Sequence, residues 1–207
     1  MQADASRLMA APGAIFIVAS ALLFVPAACT KAATLPQLFP ALTDLPDATS
    51  VAIEIGWMGL SPLSPTEATY LLELRNGQFE AMGHFRLATA SATRAVTVSR
   101  EAMQGFLAAV IKVGVVEKEY VPRITHTDDY PSTSVGVPTA QGQLTVETRS
   151  QGERSASGTY VDQSPWAIHY SGRTFVVPAG NLDEAFAPLE PQLQFNDVFE
   201  QLEKQIR

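Results

Sequence analysis

The chain of 207 residues holds one cysteine, Cys29, and three histidines. A single cysteine excludes an intrachain disulfide and a cysteine-based zinc cluster. No two of the histidines, His84, His126 and His169, stand at the spacing that sets two ligands on one helix face, so no zinc pattern is present. A Gly-x-Ser-x-Gly elbow, a Gly-x-Gly-x-x-Gly turn and a Walker-type loop are all missing, which leaves serine-hydrolase and nucleotide-binding readings without a motif. Runs of like charge are missing too. The formal charge is −7, without a basic stretch, so a phosphate-tracking surface for nucleic acid is excluded, as is a basic patch for anionic lipid. Nothing in the sequence asks for a cofactor or a bound metal.

What is present begins with the leader. Arg7 and Lys31 bracket an uncharged segment whose most apolar part runs from Ala14 to Val25, followed by the small residues Ala27 and Ala28 directly ahead of Cys29. A positive start, about a dozen apolar residues and then small residues is the pattern of a secretory signal. The junction resembles the lipobox of bacterial lipoprotein precursors, a resemblance confined to the leader. It implies that Cys29 becomes the lipidated first residue. Two other outcomes fit the same residues: ordinary cleavage after Ala27, or an uncleaved anchor, since the uncharged stretch is long enough to span a bilayer. All three place the chain beyond residue 30 outside the cytoplasm, as a membrane-anchored lipoprotein or a periplasmic or extracellular protein.

The organisation expected is therefore a signal peptide or anchor over residues 1–28, a Pro-rich tether over 29–50 with Pro36, Pro40 and Pro46, and one domain over 51–207. Within the domain, Ser99 to Gly114 is the best-defined element. Ser99 suits an N-cap, Glu101 suits the first turn, and Met103, Phe106, Leu107, Val110 and Ile111 make one apolar stripe. Val51, Ile53, Ile55 and Trp57 alternate as one face of a strand. Asn76-Gly77 separates two alternating runs, the strongest local signal for a hairpin, and Ser171-Gly172 reads as a two-residue turn between two more. Ala88 to Thr93 reads as a turn, 115–132 as irregular and 150–164 as a polar loop. Asn181 and Asn196 are candidate caps for C-terminal helices that carry Val198, Phe199, Leu202 and Ile206 as a stripe. These patterns predict an α+β fold: an antiparallel sheet built from hairpins, with one central amphipathic helix and C-terminal helices packed on it.

Three sets of residues are candidates for function. His126, Asp128 and Asp129 place an imidazole and two carboxylates within four positions, the ingredients of an acid–base or metal site, while an Asp before a proline-ended turn equally serves to bond its own backbone. His84 and His169 stand on the less apolar faces of their strands and would matter if the fold carried them to His126. Trp57, Met58, Leu60 and Leu63 sit at a strand end and in the following loop, where apolar side chains form either a recognition patch or a cover for the sheet. The function expected is an exported, membrane-tethered binding or structural module with an envelope protein as partner. The alternative is an extracytoplasmic hydrolase or metal-dependent enzyme centred on His126, Asp128 and Asp129.

Overall fold

The computed structural model describes residues 32–58, 66–117, 130–148, 151–154, 160–163, 166–177 and 182–206. One antiparallel sheet of ten strands organises them, in the order β1-β6-β12-β11-β8-β7-β2-β3-β4-β5. Its strands are β1 (Ala33–Thr34), β2 (Ser50–Met58), β3 (Thr66–Arg75), β4 (Gln78–Leu87), β5 (Ala90–Ser99), β6 (Gly114–Glu117), β7 (Tyr130–Thr139), β8 (Gly142–Thr148), β11 (Trp166–Tyr170) and β12 (Arg173–Val176). β9 (Gln151–Arg154) and β10 (Tyr160–Gln163) pair as a separate two-stranded ribbon. The helices are α1 (Leu35–Leu38), α2 (Arg100–Lys112), α3 (Asp183–Phe186), α4 (Glu190–Leu193) and α5 (Phe195–Ile206).

This corrects the expected fold class. The chain is not an α+β layer pair arranged around a central helix; strand outweighs helix, and the continuous sheet is the organising element. The reason is reach. Ten strands at about 4.8 Å spacing make a sheet about 43 Å wide, whereas a helix with its side chains is only about 10 Å across. Hairpin pairing therefore continues from strand to strand, and no single helix can cover the result.

The sheet is also curled. α2 follows β5 directly and leads through Val113 into β6. Those two strands lie eight spacings apart, about 38 Å if the sheet were flat, while thirteen helical residues rise only about 20 Å. The sheet has to bend around α2 for both connections to be made, an extension of the natural twist of strands. The concave face carries the core. Ile53 pairs with both Tyr70 and Val135, Val135 with Val146, Val146 with Ile168, and Ile168 with Phe175, so one apolar row crosses six strands. Met103, Phe106, Leu107 and Val110 of α2 are fully buried against this face. The Ser99 side chain accepts a hydrogen bond from the Ala102 amide at 3.2 Å, the N-cap that its position predicts.

Several local expectations are revised. The Pro-rich stretch is not extended throughout residues 33–47: β1 pairs with β6, α1 is followed by two 3-10 turns at Pro40–Leu42 and Leu45–Asp47, and Leu35, Leu42 and Leu45 are buried. β5 begins at Ala90, because the β4–β5 turn is only Ala88-Thr89, with Ala88 at φ +50°. Neither residue carries a turn signature, so the strand hid its first half. Residues 114–117 form β6, and β7 starts at Tyr130 and runs through Pro138, which lies past the end of the pairing with β2 and so costs no ladder bond there. Part of the expected polar loop is the β9–β10 ribbon. Asn196 lies inside α5 rather than capping it, and Asn181 lies outside the described residues.

The C-terminal helices dock on the concave side of β4 and β5. The Tyr70 hydroxyl donates to the Leu193 carbonyl at 3.0 Å, just before Gln194 turns the chain at φ +56°. Phe199 meets Phe85 edge-on at 6.1 Å, and Phe85 meets Tyr70 at 5.6 Å. Trp166 donates its indole N–H to Asp183 at 2.7 Å and packs with Phe106 and Phe186, which fastens α3 over β11.

Candidate functional site

Because the concave face is filled, the convex face is the surface the sheet offers to solvent. Strand alternation decides what stands on it: Glu54, Thr69, Leu71, Glu73, Glu80, Met82, His84, Thr145, Glu147, His169 and Thr174 all take the opposite phase to the core. One row crosses this face through the ladder pairs Thr174–His169, His169–Thr145, Thr145–Gly136, Gly136–Ala52 and Ala52–Leu71. The register that pairs Thr69 with His84 and Glu73 with Glu80 then sets Leu71 opposite Met82, and Met82 pairs with Ala95.

Two features stand out along that row. The first is polar. His169 Nδ1 lies 3.0 Å from Thr174 Oγ1, and Nε2 lies 3.1 Å from Glu147 Oε1. A carboxylate can only accept, so Nε2 carries a hydrogen and, in the neutral ring, Nδ1 accepts from the threonine hydroxyl. The three groups thus form a hydroxyl–imidazole–carboxylate chain spanning β12, β11 and β8. Among the described residues the arrangement lacks one part that acyl transfer requires. β8 and β11 are each paired on both sides, so their amides are taken up by the ladders and offer no pair of N–H donors to an oxyanion. As it stands the chain locks three strands together through one half-buried histidine.

The second feature is apolar. Leu71 is 61% exposed and Met82 52% exposed, and they line a shallow depression of about 370 Å³ with Glu73, Arg75, Glu80 and Thr97 around it. The charged groups of this rim are partly paired among themselves, since Arg75 forms a salt bridge with Glu73. At the other end of the sheet, the Arg173 guanidinium grips Glu117 through two nitrogens and lies over the Phe39 and Phe175 rings at 5.2 and 5.1 Å. The Arg173 hydrogen bond holds the Glu117 carboxyl below the usual glutamate range.

The histidines are not brought together. His84 on β4 and His169 on β11 stand five strand positions apart, about 24 Å along the sheet. His126, Asp128, Asp129, Cys29, Leu60 and Leu63 lie outside the described residues. Trp57 and Met58 close β2, where their backbones pair with Thr66, Pro131 and Tyr130; their side chains lie outside the described residues as well. Among the described residues no group of three or more His, Cys, Asp or Glu is placed to hold a metal ion, and no helix is long and apolar enough to cross a membrane.

Sequence reasoning set His169 beside Thr174 but missed Glu147, which arrives diagonally from β8 across a pairing that skips the β9–β10 ribbon. It also missed Leu71 and Met82, although Leu71 left a trace: Tyr70-Leu71-Leu72 breaks the alternation and puts an apolar side chain in the outward phase. No protein family, curated protein or solved structure matches this chain.

Proposed function

We propose that this chain is an exported binding module, held at a membrane through lipid on Cys29 or through its leader, and that its convex sheet face docks an envelope protein. The leader pattern supports export and the tether. The observation that carries the docking is the Leu71–Met82 pair: two large apolar side chains side by side in the outward phase of a charged sheet face, ringed by Glu73, Arg75 and Glu80. An apolar centre with a polar rim is how protein contact surfaces are built, and methionine is enriched in them.

The two parts are tested separately. Labelled fatty acid enters the wild type and not Cys29→Ser; label in both refutes lipid attachment at that residue. A photo-cross-linker placed at Met82 in native envelopes yields a protein adduct that Leu71→Asp abolishes. An adduct indifferent to Leu71→Asp, or none, refutes docking at this face.

A further inference from the structure

β1 fixes where the chain enters the domain. Ala33 pairs with Val115 and Thr34 with Gly114. Ala32 stays beside β6, since a Cβ on Gly114 would stand 3.1 Å from the Ala32 Cβ. Antiparallel registry puts Ala32 level with Val116, and Val116 pairs with Val176, three residues from Arg173 at the Ser171-Gly172 turn. Running backward from Ala33, the chain therefore heads for the end of the sheet that carries this turn. Two more turns stand at the same end. His169 pairs with Thr145, so Tyr170 shares an end with the start of β8 and with the Ala140-Gln141 turn before it. Ala52 pairs with Gly136 and Ser50 with Glu73, which carries the same end across β2 to the Asn76-Gly77 turn. The Ala88-Thr89 turn lies at the opposite end, the length of the ten-residue β4 away.

Cys29 precedes Ala32 by three positions, and three residues reach about 11 Å at most. The level of Arg173 is about 10 Å from that of Ala32 along the strand. A lipid on Cys29 thus leaves almost no slack beyond the turns. We propose that this lipid holds the turn-bearing end of the domain on the membrane surface, with Asn76-Gly77, Ala140-Gln141 and Ser171-Gly172 against the headgroups. The inference rests on the lipid attachment to Cys29 proposed above.

The short leash, not charge, makes this contact. The six turn residues carry no charge, and the flanking Arg75 and Arg173 are paired with Glu73 and Glu117. Asp44 and Asp47, in and beside the 3-10 turn that leads into β2, add carboxylates rather than cations, and the chain as a whole is at −7. An anionic headgroup layer therefore has no basic patch here to attract. The same placement limits the docking face. Leu71 and Met82 lie four residues from Arg75 and Gln78, within about 14 Å of the turn along their strands. A partner of that face must present its contact surface close to the same membrane.

The test uses the full chain purified from membranes and placed in vesicles of phosphatidylethanolamine and phosphatidylglycerol that contain a headgroup-nitroxide lipid. Gln141 and Thr89 are both exposed, one at each end of the sheet. A thiol-reactive fluorophore is attached to Gln141→Cys or to Thr89→Cys, with the parent chain as blank. The expected result is contact quenching several-fold greater at position 141 than at 89. Inserting about twenty Gly/Ser residues between Lys31 and Ala32 adds a coil spanning about 25 Å. It should bring quenching at 141 down to the level at 89. Equal quenching at the two ends, stronger quenching at 89, or quenching at 141 that ignores the insertion overturns the proposal. Ala140→Cys replaces Gln141→Cys should that variant not fold. Incorporation of labelled fatty acid, measured on the same preparations, separates the two claims. Absence of lipid on Cys29 refutes the attachment and the orientation with it, while lipid present with any of the three contrary results refutes the orientation alone.

Discussion

Replacing Tyr70 by phenylalanine removes one oxygen and tests how the C-terminal helices are held. The Tyr70 ring lies on Gly83, crosses Phe85 edge-on, and sends its hydroxyl to the Leu193 carbonyl in the buried turn between α4 and α5. Tyr70→Phe keeps the ring contacts and leaves that carbonyl without its donor. A neutral hydrogen bond contributes about 1 kcal/mol net, and stranding a buried acceptor costs about 1–3 kcal/mol, so a loss of about 2 kcal/mol is expected. For a protein of this size that lowers Tm by about 4–8 °C. A second, independent readout comes from pH. Burial pushes the Tyr70 phenol far above its ordinary value. In the unfolded chain the phenol ionises near 10, whereas the folded protein keeps its proton. Above that pH the unfolded state binds fewer protons, so the contribution of Tyr70 is full below pH 10 and falls as pH rises, by about 1.4 kcal/mol per unit. The wild type and Tyr70→Phe curves should therefore converge and cross near pH 11.5, about 1.5 units above 10. Urea unfolding of both proteins from pH 7 to 12 measures this. A difference under about 0.5 kcal/mol at pH 7, or parallel curves to pH 12, would refute the assignment of Tyr70 as the anchor.

Gly83→Ala should destabilise by about 1–3 kcal/mol, because a Cβ there would stand 2.8 Å from the Tyr70 ring and 2.9 Å from Phe85; denaturation of the single variant and of a Gly83→Ala, Tyr70→Ala double variant shows whether the two positions couple. Ala88→Gly should raise stability by about 0.5–1 kcal/mol, since Ala88 holds a left-handed φ of +50° that glycine adopts freely; a lowered Tm would contradict the turn. Phe106→Ala should cost about 3–5 kcal/mol by emptying the centre of the α2 contact, measured as a shift in urea midpoint. The Glu117 carboxyl should titrate by NMR below the ordinary glutamate range and return to it in Arg173→Met; the stabilisation it provides is present above the ordinary value and fades as pH falls through the lowered one.

The sequence by itself determined the local pieces, because each is settled by residues within a few positions of one another. Ser99 caps α2, the Met103–Val110 stripe is buried, and Asn76-Gly77 and Ser171-Gly172 turn with positive φ at both positions, pairing Arg75 with Gln78 and Tyr170 with Arg173. Two-residue turns fix register on both sides, so the inward residues of β3, β4, β11 and β12 followed without a structure. The tertiary structure alone decided how those pieces join. The two halves of the sheet meet where β2 pairs with β7, Ala52 opposite Gly136, a contact between residues far apart in the chain that no local pattern encodes. That junction turns two groups of hairpins into one ten-stranded sheet and forces the sheet to curl around α2, while the equally non-local pairing of β8 with β11 places Glu147 by His169. Long-range strand pairing rests on backbone hydrogen bonds that are alike for every sequence. Its choice of partner emerges only when all the apolar faces are buried together.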